Sequence, residues 1–139
     1  MPMTIKGRCL CGSVEFELED RFENFYFCYC EQCRKVTGSS HASNAITDKH
    51  NLTWLKGEAL VVRFDHPEGS FSKVFCSRCG SGLPHESQNG TDLVVPVGSL
   101  DSAPTLSPTG QIFSAEKTKW FKEGISAPEY KGFKTVSEE

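Results

Sequence analysis

Seven cysteines fall into three groups: Cys9-Leu-Cys11-Gly, Cys28-Tyr-Cys30-Glu-Gln-Cys33 and Cys76-Ser-Arg-Cys79-Gly. An odd count argues against a secreted disulfide scaffold, which tends to use an even number. The opening residues Met1 to Arg8 carry no apolar stretch of the secretory kind. A reducing, cytoplasmic setting is therefore expected, where clustered cysteines bind metal more often than they pair. Zinc takes four tetrahedral ligands in a structural site, and thiolates suit it. Two pairs can close one such site, from Cys9, Cys11, Cys76 and Cys79. The triplet Cys28, Cys30 and Cys33 can hold a second zinc with one position left over. Three thiolates leave about −1 on the site, against about −2 for four, and an open position that takes water or a thiol and deprotonates it. The open site suggests chemistry on a soft ligand.

A fourth protein ligand would close the second site and turn it into a second staple. His41, His50, His66 and His85 are available; His41 is best placed, since it follows the triplet closely. A non-catalytic, zinc-stabilised thiol- or protein-binding module is the alternative to an enzyme on this count.

The flanking residues sharpen the partition. Gly12 and Gly80 each follow a cysteine pair, where a metal-binding turn tends to need positive φ. The triplet instead leads into Arg34 and Lys35. A helix is expected over Glu31 to Val36, closed by Gly38. A helix N-terminus and nearby cations lower a thiol's pKa, so both are expected to favour the thiolate. Arg34 and Lys35 are also candidate contacts for substrate carboxylates.

The elements that position these groups read as short strands. Residues 13–19 alternate strictly, with Val14, Phe16 and Leu18 facing one way and three glutamates the other. Asn24 to Tyr29 is strand-like; Phe25, Tyr26, Phe27 and Tyr29 either wall a pocket or serve as alternate core residues. Residues 40–47 and 58–65 read as strands, the second with Leu60, Val62 and Phe64 on one face. Leu83–Ser87 and Asp92–Val97 flank Gln88-Asn-Gly-Thr, a hairpin signal. Gln111 to Ala115 is a last strand. The tail with Trp120, Phe121, Tyr130 and Phe133 is expected to pack on the body as irregular chain or a short helix. Long helical periodicity is absent, so the fold class is mainly β.

Composition bounds the rest. One domain, 1–139, is expected for 139 residues with 37% hydrophobic and 24% charged side chains. The net charge of −3 runs against nucleic-acid binding. No apolar run approaches the ~20 residues of a membrane span. Oligomeric state is not legible.

Taken in order, Cys9-x-Cys11-Gly, Cys28-x-Cys30-x-x-Cys33-Arg34-Lys35 and Phe75-Cys76-x-x-Cys79-Gly80-Ser81 resemble the glutathione-dependent formaldehyde-activating enzyme family. Val97-Gly98-Ser99-Leu100-Asp101, Ile112-Phe113 and Lys119-Trp120 extend the resemblance. It implies a β-tent of short antiparallel sheets around a structural zinc, as in methionine sulfoxide reductase B and the Rab-binding zinc chaperone. It implies structural zinc on Cys9, Cys11, Cys76 and Cys79, and catalytic zinc on Cys28, Cys30 and Cys33. The implied activity is a carbon–sulfur lyase reaction, the reversible joining of formaldehyde to glutathione as co-substrate. Gln111 stands where relatives often carry histidine, which leaves proton transfer to water or His41. Methionine sulfoxide reduction needs a redox-active cysteine late in the chain, and no cysteine follows Cys79.

Overall fold

The computed structural model describes residues 2–134. In chain order it contains β1 (Thr4–Arg8), β2 (Glu15–Glu19), β3 (Asn24–Cys28), α1 (Glu31–Thr37), β4 (Ala42–Asp48), β5 (Thr53–Lys56), β6 (Val61–Asp65), β7 (Ser72–Cys76), β8 (His85–Glu86), β9 (Asp92–Pro96), β10 (Gly110–Ile112) and α2 (Lys119–Ile125). These form three sheets, in the orders β1-β2-β5, β10-β3-β4-β9-β8 and β6-β7. Pairing is antiparallel except that β10 runs parallel to β3. The protein is mainly β, with short antiparallel sheets and two short helices among the described residues. None of those helices is long and apolar enough to cross a membrane.

The core follows from the alternation. Val14, Phe16 and Leu18 are all but fully buried, because a strand turns every second side chain to one side. They meet Ile5, Val74, Leu83, Leu93 and Val95, and the same cluster includes Cys9 and Cys76. Cys28, Cys33 and Ala42 form a separate small cluster.

At Gly57 the chain passes close over the backbone before β2. Its φ is 75°, and a Cβ there would stand 2.0 Å from the Ser13 carbonyl oxygen. Gly57→Ala is therefore expected to destabilise by about 2–4 kcal/mol, combining left-handed strain with a backbone collision. Chemical denaturation of the variant beside Gly57→Ser would check it; a change under 1 kcal/mol would contradict the close approach.

Three expectations change. Strand β6 begins only at Val61, after a 3-10 turn over Glu58–Leu60. Val62 and Phe64 remain 40% and 46% exposed, because the two-stranded β6-β7 sheet buries Val74 and Cys76 of β7 instead. Strand β10 ends at Ile112, since Phe113 turns to φ 53° and a 3-10 turn follows. The tail does form a short helix, α2, from which Phe121 packs against Tyr29 and His41. Trp120 and Phe133 are 56% and 99% exposed.

Candidate metal centres and the adjoining cleft

Cys9 follows β1 and Cys11 sits in the next turn, while Cys76 ends β7 and Cys79 lies in the turn beyond it. Their four sulfurs lie within 4.8 Å of one another. Cys9 Sγ and Cys11 Sγ are 3.6 Å apart, and Cys11 Sγ and Cys76 Sγ 4.0 Å. A disulfide needs about 2.05 Å. Four thiolates bonded at ~2.3 Å to a tetrahedral ion stand about 3.8 Å apart, so the cluster fits such an ion. Gly12 and Gly80 have φ 77° and 78°. Their N–H groups donate to the Cys9 and Cys76 carbonyls at 3.1 and 2.8 Å, closing a tight turn around each pair. The Val14 and Arg78 amides donate to Cys9 Sγ and Cys76 Sγ at 3.3 and 3.4 Å. Ser81 Oγ lies 3.2 Å from Cys79 Sγ and accepts from the Leu10 amide at 2.9 Å, linking the two turns. The Ser81 hydroxyl is the largest cause of a Cys79 thiol lowered to about 5.

The second cluster is built differently. Cys28 ends β3, Cys30 is the N-cap of α1 and Cys33 points inward from its first turn. Their sulfurs also lie within 4.8 Å of one another. The Cys33 amide donates to Cys30 Sγ at 3.4 Å, so the cysteine does the work of a capping serine. Burial pushes the Cys28 and Cys33 thiols up. The expected lowering by the helix terminus is thus outweighed by desolvation; a divalent cation among three such sulfurs removes that penalty. Both clusters can hold a metal ion.

No further Cys, His, Asp or Glu joins the triplet among the described residues. His41 lies elsewhere: its ring stacks on Phe27 at 4.3 Å and meets Tyr29 and Phe121. Tyr29 donates its hydroxyl to Gln111 Oε1 at 2.7 Å. Of the aromatic run on β3, only Tyr26 lines the cleft beside the triplet. Pleating sends Tyr26 and Cys28 to one side and Phe25 and Phe27 to the other.

That cleft has a volume of about 580 Å³ and takes in all three sulfur-bearing residues. Tyr26, Asn44 and Ile46 line it from β3 and β4, Phe71 and Lys73 from the β7 segment, and Ile112 and Phe113 from the end of β10. Helix α1 offers it Cys33, Val36 and Thr37. Arg34 and Lys35 do not line it: Arg34 Nε donates to the Tyr29 carbonyl at 3.2 Å, and Lys35 is exposed.

Sequence reasoning passed over Lys73, and it named His85 only as one of four available histidines, without placing it in this cleft. Burial lowers the Lys73 ammonium pKa, with Cys33 opposing. Burial, then Arg63, brings His85 down to about 4; Lys73 adds to this while the Leu83 backbone and Asp65 oppose it. The strand alternation that places Leu83, His85 and Ser87 on one side was the signal that could have found His85.

His85 is thus a neutral imidazole in the fold above pH about 4, against an ordinary value of 6.5. Between those values the unfolded chain binds more protons, so stability falls as pH drops from about 6.5 to about 4. Above and below that window the contribution is level. Wild type is expected to lose about 2–3 kcal/mol more than His85→Gln across it, measured by denaturant midpoints. Metal release in acid is common to both proteins, so the difference isolates the imidazole; parallel curves would contradict its burial.

The family described as glutathione-dependent formaldehyde-activating enzyme matches residues 4–116. No curated protein matches the chain significantly. The fold is similar to that of a crystal structure of a Rhodobacter sphaeroides protein, with TM-score 0.60, 23% identity, and coverage of 76% of this chain and 98% of that one.

Proposed function

The chain belongs to the glutathione-dependent formaldehyde-activating enzyme family, and from that premise we propose that it is a zinc-dependent carbon–sulfur lyase. It joins glutathione, or a related thiol, to formaldehyde or a related small aldehyde, and reverses that step, as an S-hydroxymethylglutathione synthase does. The observation that carries this reading is the contrast in donor number: four sulfurs can fill a tetrahedral ion's positions, whereas three leave one position, and all three line a cleft.

Cys9, Cys11, Cys76 and Cys79 hold a structural zinc in this reading, and the surrounding sheets form a β-tent, in one domain over 1–139. Cys28, Cys30 and Cys33 hold a second, catalytic zinc. That ion supplies a Lewis-acid position where a thiol is kept as thiolate at neutral pH. The chain's own residues do the rest. The apolar walls of Tyr26, Ile46, Phe71 and Ile112 exclude water from the reacting sulfur. The carbon–sulfur bond forms as the aldehyde oxygen takes up the proton the thiol gave away. His85 lines the cleft as a neutral imidazole and can accept a hydrogen bond from the hydroxyl so formed, while water carries the proton. Arg34 and Lys35 lie outside the cleft, so the proposal gives them no substrate contact. In this reading the protein is cytoplasmic, since cysteine thiolates outside disulfides suit a reducing compartment.

Two zinc ions per chain and acceleration of ¹³C-formaldehyde exchange between its free and glutathione-bound forms, read by exchange NMR, are the expected results. Two zincs without any acceleration would favour a binding module instead. A single zinc per chain would overturn the open site altogether.

A further inference from the structure

Lys73 stands where two clefts meet. Val36, Thr37, Lys73 and Pro96 line both the cleft beside the triplet and a second one of about 800 Å³ beside Cys9 and Cys11. The side chain therefore borders both clefts, within electrostatic reach of Cys33.

Its ammonium has no ion pair and no hydrogen bond among the described residues. No other lysine or arginine lines the first cleft. In the second, Arg8 is the only other one, and it is paired with Asp101 at 3.4 Å. The acidic residues lining the first cleft, Glu31 and Glu116, are both exposed. A half-buried cation with no hydrogen bond or ion pair, and with Cys33 as its electrostatic neighbour, is costly unless a closer anion arrives. Gly82 leaves room for the amine itself: a Cβ there would stand 2.7 Å from Lys73 Nζ.

We infer that Lys73 is the specificity residue for the thiol substrate, holding a carboxylate on the substrate's tail while the substrate's sulfur occupies the triplet. The inference rests on the thiol-binding reading above and adds the residue that recognises the thiol's carboxylate tail. Arg34 and Lys35, the cations nearest the triplet in sequence, line neither cleft, which leaves this task to a residue forty positions later in the chain.

The test uses the full zinc-loaded chain and calorimetric binding of two probes, glutathione and its diethyl ester, whose thiol is the same and whose carboxylates are masked. Wild type is expected to bind glutathione at least about tenfold tighter than the ester, the measure of one charge-assisted hydrogen bond. In Lys73→Met that preference disappears while ester binding and zinc content are unchanged. Gly82→Ala keeps the charge but displaces the amine, and an intermediate preference is expected; it also serves if Lys73→Met folds poorly. An undiminished preference in both variants would overturn the inference and leave the thiol-binding reading intact. Wild type binding neither probe would overturn both.

Discussion

Cys33→Ala is expected to purify with one zinc per chain instead of two, to show no calorimetric binding of glutathione, and to lose thiol–aldehyde exchange on the order of a thousandfold. The expectation comes from the geometry of the triplet. Its three sulfurs lie within 4.8 Å of one another, and no fourth ligand among the described residues can take over. Two remaining thiols cannot hold a zinc ion that needs at least three protein ligands in an open site. The fold should survive. Cys33 belongs to the small cluster with Cys28 and Ala42, apart from the main core. A loss of only about 1–2 kcal/mol is expected there. Elemental analysis with a thermal melt checks both halves, and a variant that keeps two zincs would refute the assignment.

Cys76→Ala should behave in the opposite manner, losing the fold before any question of activity arises. Cys76 is 0% exposed, sits in the main core and closes the cluster that ties the turn after β1 to the turn after β7. Structural zinc contributes about 10–16 kcal/mol in small metal-dependent domains, as much as the whole stability of an ordinary domain, about 5–15 kcal/mol. The variant is therefore expected to be unfolded or insoluble at 37 °C, with no cooperative melt by circular dichroism. A melt like that of Cys33→Ala would mean that the two clusters have equal roles, and the division into closed and open sites would fail.

Much of this was legible in the residues themselves. Strict alternation over 13–19 is enough to bury Val14, Phe16 and Leu18, because a strand's period of two admits no other side. The helix over Glu31–Thr37 and its end at Gly38 followed from spacing and a single glycine. The cysteine partition followed from counting ligands. What stayed hidden depends on contacts far apart in sequence. Alternation says that Phe27 and Tyr26 face opposite ways, but not which of them meets the cleft; that is decided by α1 and β7 packing on one side and by His41 and Phe121 on the other. Arg34 and Lys35 looked well placed because they adjoin Cys33 in sequence, yet helical rotation carries them away from it while Val36 and Thr37 return. Lys73 carried no signal at all, since its role comes from where β7 lies and from the missing side chain of Gly82.

The parallel pairing of β10 with β3 has a bearing on how the chain is made. The strand that ends in Cys28 has β4 on one side. Its other side is covered only by Gly110–Ile112, tied down by Thr109, whose hydroxyl accepts from the Phe25 amide 84 residues away. During synthesis every other strand has emerged before that cover arrives. Until then the triplet's strand shows bare amide and carbonyl groups, a template for pairing with a neighbouring nascent chain, next to three reduced thiols. Three residue pairs from late in the chain thus complete the edge of the strand that ends in Cys28. A chain cut before Gly110 lacks that cover.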